Sequence, residues 1–460
     1  MMFNPQRASG ALWGIINAKG EFTMNTYFLS LFTSVMPLSV NGMGVIALFN
    51  TMSKGFCLLT RDEWRRVREL LGRPAEDQTL SALHDNGIIA LEGTDEQAAL
   101  KLYREQIIHS SHVLKSRMMV TYACNFSCLY CYQDSKPLSM SEETARKIDS
   151  YYLALIHQKH PRVVMDNYIG GEPLLNFEVV LNSASRRYHF CLGKEIDYDW
   201  GITTNGLLLD ENRFNRMLTA NLKHIRVSLA GPEKIHDRLR PDKEGKGTYK
   251  AIIKNLKNID QRVKVGIECQ YDAGSEDYRQ IPLMLDEMAA GGIRADEIAF
   301  TPIQKRRHET RFMCGNGDYA IHAWLAAEAV RRGFPMHDGP PGNYCMADIR
   351  NYLIFDVKGN ILPCLLDCGE LAYGDVFKGI DFRKEAKILN RRAPEKCIAS
   401  CELAPLCTGG CRLQEYYRSG DFNGIDCPYG MLKASLEAHI NTLAIKAFEQ
   451  NAPDLLTHAI

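Results

Sequence analysis

The chain has no excess of charge of either sign: lysine plus arginine and aspartate plus glutamate both number 55 in 460 residues. Neutrality gives no electrostatic ground for nucleic acid or an anionic membrane as partner. Long apolar runs are also missing, none approaching the ~18 residues that cross a bilayer. The opening residues Met1-Met2-Phe3-Asn4-Pro5-Gln6-Arg7 have no apolar stretch behind a basic start. The secretory-signal pattern is therefore absent, and the expected location is cytoplasmic. No repeat of about 20 to 50 residues and no low-complexity tract is present, which excludes solenoids and arrays. What remains is a chain long enough for two or three domains, each with its own core.

Cysteine is abundant, with 15 in the chain, and its distribution is more informative than its number. Three lie between Cys124 and Cys131 and eight between Cys345 and Cys427, while Cys57, Cys191, Cys269 and Cys314 are scattered. Isolated cysteines read as small buried residues. Close clusters without a secretion signal read as metal ligands rather than disulfides.

After a patternless stretch to about residue 23, strands are expected at Tyr27 to Phe32, Val45 to Phe49 and Phe56 to Leu59. Thr60 and Glu63 form a capping box opening a helix with Trp64, Val67, Leu70 and Leu71 on one face. A second helix near Leu80 to His84 stops at Asp85-Asn86-Gly87, before a strand from Ile88 to Leu91. This order suggests a small winged-helix-like module over residues 1–105.

From Arg117 the pattern turns periodic, with six apolar strands each followed by a helical segment. The strands run Met118 to Tyr122, Val163 to Ile169, Trp200 to Thr203, His224 to Leu229, Val263 to Cys269 and Glu297 to Phe300. Alternating strand and helix imply a parallel sheet with right-handed crossovers. The expected fold class is α/β, a partial (β/α)6 TIM barrel over residues 106–335 with its site at the C-terminal strand ends. Residues 336–435 form a cysteine-rich domain that opens on a hairpin turning at Lys358-Gly359-Asn360, and residues 436–460 belong to a last helix.

Polar motifs follow the strands. The first is Cys124-x3-Cys128-x2-Cys131, which by itself suits zinc or three irons of a four-iron cluster, the fourth iron left open. Gly170-Gly171-Glu172-Pro173 ends the second strand, its glycines suited to unusual backbone angles or close approach to a ligand. Thr203-Thr204-Asn205-Gly206 ends the third, and Val227-Ser228-Leu229-Ala230-Gly231 the fourth. All four motifs would meet on one rim.

Over roughly residues 115 to 310 this set resembles the radical S-adenosylmethionine (SAM) superfamily. The resemblance implies that Cys124, Cys128 and Cys131 hold a 4Fe-4S cluster whose free iron chelates SAM. It puts Tyr130 by the adenine, assigns Gly170, Gly171, Glu172 and Pro173 to the methionine amino group, and sets Asn205 and Ser228 near the ribose and carboxylate. The family's chemistry is cleavage of SAM to a 5′-deoxyadenosyl radical that abstracts a substrate hydrogen. One departure is Ala230, where many relatives carry aspartate.

The later cysteines resemble the SPASM domain of radical SAM peptide maturases, departing by one residue at Cys397-x3-Cys401. That resemblance implies two auxiliary 4Fe-4S clusters, three in all. Cys345, Cys364 and Cys411 would hold the first, with Cys368 as fourth ligand, and Cys397, Cys401, Cys407 and Cys427 the second. A structural zinc site is the alternative for the second block. The N-terminal module resembles the RiPP recognition element, which binds the leader of a ribosomally made precursor peptide by strand addition.

The implied function is a radical SAM maturase that cross-links a precursor peptide, drawing electrons from a flavodoxin or ferredoxin. One rival is an anaerobic sulfatase-maturing enzyme. In that family an aspartate directly follows the auxiliary cysteine closing the hairpin, whereas Leu365 stands here, with Asp367 two residues on. The other is a non-catalytic iron-sulfur or zinc electron-transfer scaffold, which would need no SAM motifs. No catalytic base is assigned, because Glu268, Asp367, Glu415 and Asp421 each read as structural or solvated carboxylates.

Overall fold

The structure is a computed structural model that describes residues 24–131, 133, 136–303, 319–335, 342, 344–365, 371–391 and 394–450. The chain forms two compact units, one of residues 1–101, 395–405 and 440–460, the other of residues 102–394 and 406–439.

In the first unit, β1 (Tyr27–Leu29), β2 (Thr33–Val40), β3 (Met43–Asn50) and β4 (Phe56–Thr60) precede α1 (Arg61–Leu70), α2 (Gln78–Asp85), β5 (Ile89–Leu91) and the start of α3 (Glu96–Ile108). β1 pairs with β5, and β2, β3 and β4 form a separate antiparallel sheet in that order. The capping box is present: Glu63 N donates to Thr60 Oγ1 at 3.2 Å, and Thr60 N donates back to Glu63 Oε2 at 2.7 Å. The sheet and helices enclose Leu48, Leu59, Val67, Leu80, Leu83 and Ile88.

Two elements depart from the sequence expectation. The strand expected to reach Phe32 stops at Leu29, and β2, which was not expected, follows it. Pro37 argues against a strand because proline cannot donate to a ladder, but β2 lies on a sheet edge, where that loss is tolerated. The β2–β3 turn is Asn41-Gly42 with φ of 50° and 81°, the two left-handed residues of a tight hairpin. Helix α3 was also unexpected.

In the second unit, six strands run parallel in sequential order: β6 (Val113–Thr121), β7 (Val163–Gly170), β8 (Asp197–Thr204), β9 (His224–Leu229), β10 (Lys264–Tyr271) and β11 (Glu297–Pro302). Helices α4 (Glu142–Lys159), α5 (Phe177–Leu192), α6 (Glu211–Thr219), α7 (Glu233–Leu239), α8 (Tyr249–Leu256), α9 (Ile281–Ala290) and α10 (Tyr319–Arg331) follow the strands. This is the expected α/β arrangement of six strand-helix units. The sheet continues past β6 through β12 (Tyr352–Phe355), which is parallel to it, then β13 (Asn360–Leu362), β14 (Gly374–Asp375) and β15 (Gly379–Ile380). The expected hairpin is β12–β13, and it is built onto the barrel sheet. Of the later helices, α11 (Phe382–Leu389) and α13 (Arg412–Ser419) belong to this unit, α12 (Glu395–Ser400) to the first, and α14 (Tyr429–Gln450) is divided between the two at residue 440.

Burial alternates along each parallel strand, as the two-residue period of a sheet requires. In β9, Ile225, Val227 and Leu229 are buried while His224, Arg226 and Ser228 are half-buried on the other face. The buried face packs against the helices around Tyr152, Tyr168, Trp200 and Val180.

A buried charge network lies in this apolar layer. Arg187 is fully buried and donates to Asp149 Oδ1 at 2.8 Å, Asp166 Oδ2 at 2.9 Å and Ser116 Oγ at 2.9 Å. Tyr198 and Ser116 donate to Asp166, and Ser183 to Asp149, so both carboxylates are well satisfied. Removing one member of such a network leaves uncompensated charge in the interior. Arg187→Met is therefore expected to lower unfolding free energy by about 3–5 kcal/mol, read from the urea midpoint of the metal-free protein. Breaking the exposed Arg216–Glu178 pair should leave that midpoint almost unmoved.

Candidate functional site

The strand ends β6, β7, β8 and β9 carry the four sequence motifs, and the first three are bonded directly to one another. After β6 the chain enters the Cys124–Cys131 loop, which does not support itself. Its backbone is stitched to residues 239–243: Ser127 N donates to Pro241 O at 2.9 Å, Leu129 N to Leu239 O at 3.0 Å, and Lys243 N to Asn125 O at 3.2 Å. The loop thus gains regular hydrogen bonding from a segment just beyond α7.

The two glycines at the end of β7 serve the chain itself. Neither has a positive φ, and a Cβ on Gly170 would stand 2.4 Å from Thr121 O, one on Gly171 2.3 Å from Ala123 O. The close approach is therefore to the start of the cysteine loop, where Gly171 N donates to Thr121 O and Glu172 N to Ala123 O, both at 2.8 Å.

Glu172 is fully buried and accepts three hydrogen bonds: Leu174 N at 3.0 Å, Thr204 Oγ1 at 2.8 Å and Asn205 N at 2.8 Å. Burial raises its carboxyl above the ordinary value, against the pull of those donors. Asn205 continues the chain of contacts, its Nδ2 donating to Asn125 Oδ1 at 2.8 Å and lying 3.9 Å from Cys124 Sγ. The end of β7 thus holds the end of β8, which holds the cysteine loop.

The three thiols of that loop are half-buried and within electrostatic reach of one another. Burial pushes the Cys124 thiol up to about 11, and Phe126 N donates to its sulfur at 3.4 Å. Among the described residues no three His, Cys, Asp or Glu side chains are gathered as they would be for a single ion. A tetrahedral zinc with Zn–S bonds of about 2.3 Å would draw its thiolates to within roughly 4 Å of each other. Three thiols on one loop are the donor number of a four-iron cluster with one iron left open.

One electrostatic feature of the site was not expected from the sequence. Arg240, on the stitched segment, is 7% exposed, and its side-chain hydrogen bonds among the described residues go to neutral groups. Its Nη1 donates to Tyr130 OH at 2.8 Å and Gln270 Oε1 at 3.1 Å, while its Nε has no partner among the described residues. It lies within electrostatic reach of Cys124, Cys128 and Glu172. A buried cation with no directly bonded carboxylate, beside three thiols, suits an anionic group there. Tyr130, whose phenol burial pushes up to about 12, is held between Arg240 and Gln270.

Ser228 lies in register with Glu268 on the half-buried face of the sheet, where Asn167, Thr203, Arg226, Gln270 and Thr301 also sit. Thr203 donates to Asn167 at 3.1 Å, and Thr301 to Glu268 at 3.2 Å. Polar residues two apart in otherwise apolar strands are the signal that would have identified this face. Of the later cysteines, Cys345 and Cys411 lie within electrostatic reach of each other, and Cys407 accepts from Gly409 N at 3.1 Å. Cys364 follows β13, Cys427 precedes α14, and Cys397 and Cys401 lie in and just after α12. Cys368 and Asp367 fall outside the described residues.

Residues 118–270 match the family model described as the Radical SAM superfamily, so the chain carries a radical SAM domain, the catalytic module of an enzyme. Such a domain works with SAM and a 4Fe-4S cluster. The uncharacterized protein MJ0907 of Methanocaldococcus jannaschii is 32% identical over 143 residues, covering 30% of this chain and 46% of that protein. The chain thus spans about half the length of that curated relative. The PqqA peptide cyclase of Granulibacter bethesdensis is 21% identical over 369 residues, covering 74% of this chain and 92% of that one. Among solved structures, anSMEcpe with bound AdoMet superposes with a TM-score of 0.56 at 17% identity, over 73% of this chain and 99% of that one. SuiB of Streptococcus suis, bound to precursor peptide SuiA, gives 0.52 at 16% identity, over 88% of this chain and 99% of that one. These structural likenesses share the fold of the second unit's parallel sheet.

Two substitutions separate the roles at this rim. Glu172→Ala strands three donors, each costing about 1–3 kcal/mol, and should weaken SAM binding at least tenfold while iron is retained. Arg240→Met should shift the midpoint potential of the SAM-binding cluster to more negative values. Equilibrium dialysis with SAM and potentiometric electron paramagnetic resonance (EPR) check the two; a cluster potential unmoved in Arg240→Met would remove Arg240 from the site.

Proposed function

We propose that the protein is a radical SAM enzyme that modifies a ribosomally made precursor peptide by forming a cross-link, a thioether or a carbon-carbon or carbon-oxygen bond, at an unactivated carbon. Cys124, Cys128 and Cys131 would hold the SAM-binding cluster, with Tyr130, the Gly170 to Pro173 stretch, Asn205 and Ser228 around SAM. When bound, the cluster and SAM supply the electron and the carbon radical that removes a hydrogen from the substrate. The chain's own part is to hold that chemistry rigidly: Glu172 fixes Asn205, Asn205 fixes the cysteine loop, and Arg240 offsets negative charge beside it.

The observation that carries the peptide reading is the free edge of the first unit. In the β2–β3–β4 sheet, β4 has no further strand beside it among the described residues, while its side chains Phe56 and Leu58 pack with Val40, Val45, Ala444 and Phe448. The opposite edge carries Pro37, a residue that discourages pairing. A leader peptide adding a strand to β4 is the simplest use of that asymmetry. The likeness to a PqqA peptide cyclase and to SuiB with its precursor peptide supports the same reading.

The auxiliary clusters enter here as well, with Cys345, Cys364, Cys411 and Cys368 for one and Cys397, Cys401, Cys407 and Cys427 for the other. A flavodoxin or ferredoxin would be the reductant, in the cytoplasm. No helix among the described residues is long and apolar enough to cross a membrane. Leu365, in place of the aspartate expected of a sulfatase-maturing enzyme, weighs against that rival.

The test is anaerobic incubation of the reconstituted, reduced protein with SAM and the peptide encoded beside its gene. Formation of 5′-deoxyadenosine should depend on that peptide, whose mass should fall by two hydrogens for each cross-link. Removing the leader should raise KM at least tenfold with little change in kcat, and adding the leader separately should restore it. Unmodified peptide with no 5′-deoxyadenosine would refute the reading.

A further inference from the structure

Behind the later cysteines lies a buried knot of charge that the proposed reaction does not use. Asp348, 4% exposed, accepts from Arg412 Nε at 2.8 Å and from Arg412 Nη2 on one oxygen. Its other oxygen accepts from Thr408 Oγ1 at 2.5 Å and Arg391 Nη1 at 3.4 Å. Both guanidiniums are buried, with side chains 1% exposed. Burying two such cations on one carboxylate is costly, and an apolar packing of similar volume would stabilise the fold more cheaply.

The contacts of this knot run to segments that bear cysteines. Thr408 Oγ1 accepts from Cys345 N at 3.3 Å. Arg391 donates from Nη1 to Gly410 O at 3.2 Å and from Nη2 to Gly409 O, the turn between Cys407 and Cys411. That turn needs glycine: φ is 107° at Gly409 and 79° at Gly410, and a Cβ on Gly410 would stand 1.5 Å from Asp426 O. Asp426 N in turn donates to Gly409 O at 3.1 Å, which ties in the residue before Cys427. Asp426 is itself buried and within electrostatic reach of Arg391 and Cys411, so the knot is close to charge balance when that carboxyl is ionised.

We propose that Asp348, Arg391 and Arg412 form a positioning device for the auxiliary clusters, holding the Cys407–Cys411 turn in fixed relation to Cys345 and Cys427. The inference rests on the auxiliary-cluster reading above. Cys407 and Cys411 belong to different clusters in that reading, so the turn clamped by Arg391 is where the spacing between the two is set. Arg391's fork is suited to this because it bridges two carbonyls and a carboxylate at once, which an ammonium would do less well.

The full chain, reconstituted anaerobically, should carry about twelve irons, four for each of three clusters. Arg391→Gln and Asp348→Asn are expected to fall toward about four irons while the EPR signal that responds to SAM is kept. Arg391→Lys should be intermediate and show altered spin coupling between the auxiliary clusters. If both variants keep the wild-type iron content, midpoint potentials and spin coupling, the proposal is overturned and the auxiliary clusters stand. Loss of all three clusters together with the thermal transition would make the knot a general element of the fold and overturn it too. A wild-type protein with only about four irons would overturn the auxiliary-cluster reading itself, an outcome distinct from the others.

Discussion

A three-cysteine loop is too short to fold by itself, and the candidate site depends on how it is held. Eight residues from Cys124 to Cys131 cannot bury enough surface to offset the entropy of ordering them, so neighbours must supply the constraint. The segment from Leu239 to Lys243 supplies backbone hydrogen bonds on one side, and the ends of β7 and β8 supply Glu172 and Asn205 on the other. Gly170 and Gly171 are part of the same constraint, because side chains there would collide with the backbone that leads into the loop. Thiols fixed in this way lose little further entropy on taking up a cluster, which is the sense in which the loop is preorganised.

The six strand-helix units were legible because apolar strands and amphipathic helices alternate with clear periods, and the rim motifs were legible because each ends a strand. The role of those motifs was less so. Glycines 170 and 171 are suited by composition to a ligand or to a crowded backbone, and only their distances to Thr121 and Ala123 show the crowding. Arg240 was passed over because nothing in its local sequence separates it from the surface arginines nearby. Its significance arises from being brought across the fold to Tyr130 and Gln270, 110 and 30 residues away. Strand β2 was missed as well, although an Asn41-Gly42 hairpin turn and a proline on an edge strand are compatible with it.

Metal-ligand sets and charge networks thus differ in how they can be read. A cysteine motif is compact in sequence and carries its chemistry with it. A charge network such as Asp348 with Arg391 and Arg412 spans 64 residues, and none of its members stands out until the fold brings them together. The same is true of the polar face of the sheet, whose Asn167, Ser228, Gln270 and Thr301 come from four strands.

Four of the buried arginines can be compared by how far the protein itself neutralises them. Arg187 faces two aspartates, both bonded further to hydroxyls, so nothing is left for a ligand and its role is to hold helices against the sheet. Arg391 and Arg412 share Asp348, with Asp426 close to the first, and their remaining bonds go to backbone around the later cysteines. Arg240 has neutral partners, an unpartnered Nε and thiols within reach. Burying a cation whose direct partners are all neutral is costly. Of these four, Arg240 is the one with no directly bonded carboxylate, and it lies beside the loop expected to carry the most reactive group.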